Sequence, residues 1–131
     1  MKLLWAVFLL AFAQMAAATP QSPSERVQLF ATCAGRYSAL AEYQRLMDGP
    51  ASEDADAQRA RFDDLLDAVM PDALEWGMPG DMAMNWRITA KMAQAQLLSR
   101  GTFQTDRDIA AHAKRAAQAF LQECNAIILD I

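Results

Sequence analysis

Three methionines and a tryptophan occur within one short segment, residues 78–86, which reads MPGDMAMNW. Thioether sulfur is the soft ligand type that suits Cu(I), so Met78, Met82 and Met84 form a candidate soft-metal site. Met82 and Trp86 are four residues apart and share a helix face, whereas Met84 lies about 200° further round the helix than Met82. Methionine and tryptophan also fill irregular gaps in apolar cores, and we favour this packing interpretation over a metal site.

A second group of candidate functional residues is acidic. Asp63, Asp64 and Asp67 have D-D-x-x-D spacing, which resembles the motif with which isoprenoid synthases hold Mg²⁺ and diphosphate. The resemblance covers five residues, and the second metal-binding motif of those enzymes is absent, so it does not extend their activity to this chain. We expect these carboxylates to lie on a solvated helix face, where they bind a partner protein or pair with basic residues of the later helices.

The motifs of common catalytic and covalent cofactor sites are missing. His112 is the only histidine, no G-x-S-x-G sequence presents a nucleophile, and no C-x-x-C-H sequence is available for covalent haem attachment. We therefore predict no catalytic residues, no metal ligand set and no cofactor. An enzyme with an unrecognised site is the remaining alternative.

The only two cysteines, Cys33 and Cys124, are predicted to form a structural disulfide. They lie in the first and the last of four predicted helices, near ends that meet when those helices pack antiparallel. A redox-active pair is disfavoured, because catalytic dithiols usually have C-x-x-C spacing at the start of a helix.

Capping residues and turns mark the helices that position these side chains. Ser22-Pro23-Ser24-Glu25 has capping-box spacing and predicts helix 1 from about Pro23 to Asp48. Ser52 is the predicted cap of helix 2, which Pro71 should bend or interrupt before Gly77–Gly80 closes it.

The second half of the chain follows the same rules. Asp81 is the predicted cap of helix 3, which should end at Arg100–Gly101. Thr105 is the predicted cap of helix 4, which should continue to about Leu129. No segment alternates with period two for long enough to form a strand.

Each predicted helix carries one apolar stripe. The stripes comprise Phe30, Cys33, Tyr37, Leu40 and Met47; Phe62, Leu65, Val69, Ala73 and Trp76; Met82, Trp86, Ala93 and Leu97; and Ile109, Ala113, Ala116, Phe120, Cys124 and Ile127. The sequence therefore predicts an all-α fold, an up-down-up-down four-helix bundle with helix 1 and helix 4 linked by a disulfide. A dimer of two-helix hairpins is the main rival architecture.

The N-terminus predicts export. A positive start at Lys2, an apolar run over Leu3–Ala13 and the small residues Ala16 to Ala18 form the three-part pattern of a secretory signal peptide. We expect cleavage after residue 18, no membrane anchor afterwards, and a single helical-bundle domain over residues 19–131 in the bacterial periplasm. An apolar run this short does not anchor the mature protein unless it goes uncleaved, and a retained N-terminal anchor is the alternative.

Charge and composition restrict the function classes. The formal net charge is −4, and removal of residues 1–18 removes one lysine and makes it −5. Nucleic-acid binding is therefore not expected, because phosphates need a basic face. We predict a noncatalytic periplasmic protein that binds a partner protein through the acidic helix 2 or the segment from Met78 to Trp86, with soft-metal binding as the alternative.

Overall fold

The computed structural model describes residues 22–131, so the predicted signal peptide (residues 1–18) and the predicted mature start near Thr19 lie outside the described residues. Within them the chain forms helices α1 (Pro23–Met47), α2 (Ala51–Glu75), α3 (Met82–Phe103) and α4 (Arg107–Leu129), and residues 22–131 contain no strand. Short connections make consecutive helices antiparallel, which confirms the predicted up-down-up-down four-helix bundle. None of these four helices is both long and apolar enough to cross a membrane.

Helix α1 is the central helix, since it contacts all three of the others. It packs closely against α2 and α3 and meets α4 around the disulfide. The predicted stripe was correct for Phe30, Cys33 and Tyr37, which are buried, but α1 also buries small residues on its other sides. These are Ala31, Ala34, Gly35, Ala39 and Ala41. Small side chains allow neighbouring helices to approach from several directions.

An aromatic cluster joins α1 to α2. The fully buried Phe62 of α2 is stacked on Tyr37 with ring centroids 5.9 Å apart and is tilted against Phe30 at 6.4 Å. These separations lie in the range where aromatic pairs attract each other beyond their shared apolar burial. Burial also raises the pKa of the Tyr37 hydroxyl above its usual value of 10.0, because the ionised form loses its hydration.

Two glycines allow close contact between helices. A Cβ atom on Gly35 of α1 would lie 2.2 Å from the carbonyl oxygen of Arg87 in α3. A Cβ atom on Gly101 of α3 would lie 2.8 Å from Cγ of Lys114 in α4. Both separations are shorter than any van der Waals contact. At Gly35 the obstructing atom belongs to the backbone, so only hydrogen fits there, whereas at Gly101 it belongs to a lysine side chain.

The predicted capping box of α1 is present. The Glu25 backbone N–H donates to Oγ of Ser22, and the Ser22 backbone N–H donates to the Glu25 carboxylate. Ser52 was wrongly predicted as the cap of α2: the helix begins at Ala51, and the Ser52 hydroxyl donates to the Gly49 carbonyl within the first turn. The backbone of Pro50 already has helical angles, which moves the helix start before Ser52.

Two further boundaries differ from the prediction, and a third is at the predicted residue but lacks the expected hydrogen bond. α3 continues past Gly101 to Phe103, because this glycine is packed inside the helix and does not terminate it. α4 is capped by Asp106 and not by Thr105, since the Asp106 carboxylate accepts from the N–H groups of residues 108 and 109. Asp81 does occupy the cap position of α3, but its carboxylate accepts from the Asn85 side chain and not from the backbone.

Helix α2 continues through Pro71 without interruption to Glu75. Proline removes one backbone hydrogen bond in a helix, and Pro71 lies on the exposed side, where water can solvate the freed carbonyl. Trp76, which was predicted to extend the apolar stripe of α2, follows the last helical residue and is 77% exposed.

Candidate functional site

The predicted disulfide is confirmed and lies inside the protein. The sulfur atoms of Cys33 and Cys124 are 2.04 Å apart, their Cα atoms are 5.6 Å apart, and both residues are fully buried. A reactive disulfide has to be accessible to an attacking thiolate, and this one is not. Its location supports a structural role, in which it fastens α4 to the central helix.

Arg36 covers the disulfide on the α4 side. Its Nη1 atom donates to the Phe120 carbonyl at 3.1 Å and to the Glu123 carboxylate at 3.0 Å, and it lies 3.6 Å from Sγ of Cys124. The guanidinium carbon is 4.3 Å from the centre of the Phe120 ring, which is within the range of a cation–π contact. Arg36 therefore reinforces the α1–α4 contact and is not free to bind a partner.

The three aspartates singled out from the sequence do not act as one group. Asp63 faces α3, where its carboxylate accepts two hydrogen bonds from Arg87, the shorter being 2.6 Å. Arg59 of α2 lies 3.8 Å from the same carboxylate. Asp64 and Asp67 are exposed and form no ion pair within residues 22–131. Asp63 thus joins α2 to α3, and only Asp64 and Asp67 remain available at the surface.

The methionine segment is also divided between the core and the surface. Met78 is buried in the hydrophobic core, and Met82 and Trp86 are partly buried against the same core. Met84 is 57% exposed on the outer side of α3. The predicted separation of Met82 from Met84 round the helix is therefore present, and the core placement of Met78, Met82 and Trp86 matches the packing interpretation.

Met84 belongs to a surface that the sequence analysis did not single out. Ile88 and Met92 follow it at four-residue intervals on α3, and they are 51% and 56% exposed. Residues at this spacing lie one above the other on a helix, so the three side chains form a continuous ridge. We call this surface the α3 outer face; its other exposed members are Asn85, Thr89, Ala93, Gln96 and Ser99.

The α3 outer face carries no charge. The only charged residues between Met84 and Ser99 are Arg87 and Lys91, which point to the sides and bind Asp63 of α2 and Glu42 of α1. Lys91 is 2.5 Å from the Glu42 carboxylate. These ion pairs turn the charges of α3 towards neighbouring helices, and what faces outward is methionine, isoleucine and small or amide side chains.

A hollow adjoins the ridge at its C-terminal end. It is shallow and open to solvent, and it is lined by Met92, Ala95, Gln96, Ser99 and Arg100. The small residues Ala95 and Ser99 leave this space beside Met92, and Arg100 is the one charged residue of the lining. A ridge next to a hollow is the surface shape into which another helix packs its side chains.

The only histidine offers little to a metal site. His112 is exposed on α4. Among residues 22–131, no group of three or more histidine, cysteine, aspartate or glutamate side chains is placed to hold a metal ion. The soft-metal alternative therefore gains no support from a cluster of histidine, cysteine or carboxylate side chains in this part of the chain.

No protein-family model, no curated protein and no solved structure matches the chain.

Proposed function

We propose that this protein is a small exported, noncatalytic helical protein that acts by binding a partner protein through the α3 outer face. The observation that carries the proposal is the uncharged ridge of Met84, Ile88 and Met92, which is half-exposed along two turns of a well-formed helix. Exposed apolar side chains that occur singly are normal, but a contiguous patch marks a binding surface in a soluble protein.

The chemistry of the ridge defines the partner surface. Methionine is flexible and polarizable, so it adapts to apolar surfaces of different shapes. With no charge between Met84 and Ser99 on this face, the matching surface is itself uncharged and apolar at its centre. An amphipathic helix whose apolar ridge fits beside Met92 has this character.

Crosslinking from a single position tests the proposal. A photoreactive amino acid at Ile88, in protein exported by its natural host, is expected to capture a protein partner that the same group at Ala119 on the exposed side of α4 does not capture. Ile88→Glu combined with Met92→Glu should abolish recovery of that partner, because a charge pressed into an apolar contact loses its hydration.

The control variant is Ala119→Glu, which places a charge on an exposed side chain outside the α3 outer face. Thermal unfolding should be unchanged in both variants, since each alters solvent-exposed positions. Equal recovery of the partner from the double glutamate variant and the wild-type protein would refute the role of this face.

The acidic surface of α2 is tested separately. Reversing Asp64 and Asp67 to lysine changes the exposed charge while leaving the Asp63–Arg87 contact in place. Loss of the partner in this variant, with full recovery in the glutamate variant, would move the binding surface from α3 to α2. Asp63 is left out because its reversal would place a lysine against Arg87.

Soft-metal binding has weaker support than protein binding. Met78 and Met82 pack against the core, whereas Met84 lies on the α3 outer face. Titration of the protein with Cu(I) against a competing chelator measures this directly. Binding tighter than about micromolar that is lost in Met82→Leu with Met78→Leu would favour the metal function.

A further inference from the structure

A recess separate from the α3 outer face lies where α1, α3 and α4 meet. It has a volume of about 210 Å³. Its wall is largely apolar and includes Leu40 of α1, Leu97 and Leu98 of α3, and Leu121 of α4. Because three helices contribute to it, the recess exists only in the assembled bundle.

Two hydroxyl groups border the recess. The hydroxyl of Tyr43 in α1 and the hydroxyl of Thr102 in α3 are hydrogen-bonded to each other, and both residues belong to the lining. Each hydroxyl has one hydrogen, and their mutual bond uses only one of the two. The pair therefore retains one O–H donor for a third group.

Lys114 of α4 is the only charged residue of the lining. It forms no ion pair with any residue in the part of the chain that the structure describes. Its aliphatic stem lies against Gly101, where an added Cβ would be 2.8 Å from Cγ of Lys114. The glycine therefore lets the lysine stem lie close against α3, beside the recess.

We propose that this recess binds a small monocarboxylate with a short hydrocarbon chain. The chain packs against the four leucines, and the carboxylate accepts hydrogen bonds from the Lys114 ammonium and from the free hydroxyl of the Tyr43–Thr102 pair. At roughly 30 Å³ per small group, the volume corresponds to about seven non-hydrogen atoms. Hexanoate, which has eight non-hydrogen atoms and one negative charge, is close to this size.

The test is a titration of the secreted, disulfide-bonded protein with hexanoate, hexan-1-ol and hexylamine, followed by amide chemical shifts in NMR spectra. Hexanoate should shift the amides of residues 97, 98 and 117, which line the recess. At low salt it should bind about five- to tenfold more tightly than hexylammonium, because the single lysine favours an anion.

Variants separate this site from general surface effects. Lys114→Gln should remove the preference for hexanoate, and Gly101→Ala should weaken it by displacing the lysine stem. Arg115→Gln, a neighbouring exposed base outside the lining, is the matched control and should leave the preference unchanged. The proposal is overturned by equal affinity for hexanoate and hexylammonium, by shifts confined to other residues, or by an Arg115→Gln effect as large as that of Lys114→Gln.

Discussion

Replacement of Gly35 by alanine is the sharpest test of how α1 and α3 pack. In an exposed helix interior this change would stabilise the protein by about 1 kcal/mol, because alanine favours the helix more than glycine does. Here the added Cβ would lie 2.2 Å from the Arg87 carbonyl oxygen and 3.1 Å from the Lys91 backbone nitrogen. The structure therefore predicts the opposite sign from helix propensity.

The magnitude follows from which atoms would have to move. Optimal non-bonded contacts are about 3.5 Å or longer, so the helices must separate by about 1 Å at this point. A regular helix backbone cannot rotate aside as a side chain can, so the strain belongs near the upper end of the usual overpacking cost, about 3 kcal/mol. Subtracting about 1 kcal/mol for helix propensity leaves a net destabilisation of about 2 kcal/mol.

Urea unfolding followed by circular dichroism at about 222 nm, with the disulfide oxidised, measures this loss. The midpoint should fall by about 1 M with an unchanged slope, and the melting temperature should fall by roughly 8 °C. Gly101→Ala is the control, because there the added Cβ meets a methylene of the flexible Lys114 side chain. If Gly35→Ala were as stable as the wild-type protein, the close approach of α1 and α3 would be wrong.

Three further predictions concern stability. Cys33→Ala with Cys124→Ala should lower the free energy of unfolding by about 3 to 5 kcal/mol, because the bond spans 91 sequence steps; a loss below about 1 kcal/mol in urea unfolding would contradict its structural role. Burial raises the pKa of Tyr37 in the folded state. The contribution of Tyr37 to the free energy of unfolding is therefore complete below its ordinary pKa of 10.0, and it is lost as the pH rises through its raised pKa in the folded protein. Urea unfolding at pH about 9 and about 11 should show a smaller alkaline loss in Tyr37→Phe than in the wild-type protein, and equal losses would argue against this tyrosine as the source. Gln94 is fully buried and its Oε1 atom has no hydrogen-bond partner among residues 22–131, while its Nε2 atom donates to the Ala117 carbonyl at 3.1 Å. Gln94→Met should therefore stabilise the protein by about 1 kcal/mol in thermal unfolding, and a loss of that size would show that the amide has a further partner.

The parts of the fold that could be predicted from the sequence depend on short-range rules. The capping box at Ser22 and Glu25 is a contact between residues three apart. The turns located the other helices in the same way, although Ser52 and Thr105 were wrongly predicted as their caps. The pairing of Cys33 with Cys124 was accessible because the sequence offers no other cysteine and the topology brings both to one end. These inferences needed no knowledge of which helix lies at the centre.

The surroundings of α1 could not be predicted from an apolar stripe. Its buried alanines and Gly35 are small, and small residues give a weak apolar signal although they permit the closest helix contacts. The pairing of Asp63 with Arg87 could not be predicted either, because it depends on how α2 and α3 lie relative to each other. A stripe predicts one buried side per helix and therefore misses a helix that is packed on several sides.

The candidate binding surface was missed for a related reason. The stripe predicted for helix 3 included Ala93, which is exposed, and it omitted the ridge that continues from Met84 through Ile88 to Met92. The spacing of that ridge is visible in the sequence. What the sequence does not contain is the direction of the neighbouring helices, and that direction decides which of two apolar stripes is buried.

The ridge differs from the other exposed apolar residues in where it lies. Leu46, Trp76 and Leu129 are more exposed, but each is near the end of a helix, where burial is limited by the end of the element itself. Ile88 lies in the interior of α3, and the Arg87–Asp63 and Lys91–Glu42 ion pairs turn the nearby charges towards α2 and α1. A solvated helix face usually carries its charges outward, because water hydrates them best there. Because the segment from Met84 to Ser99 pairs its charges with neighbouring helices and leaves its large apolar side chains outward, we propose its outer face as the surface that a partner protein covers.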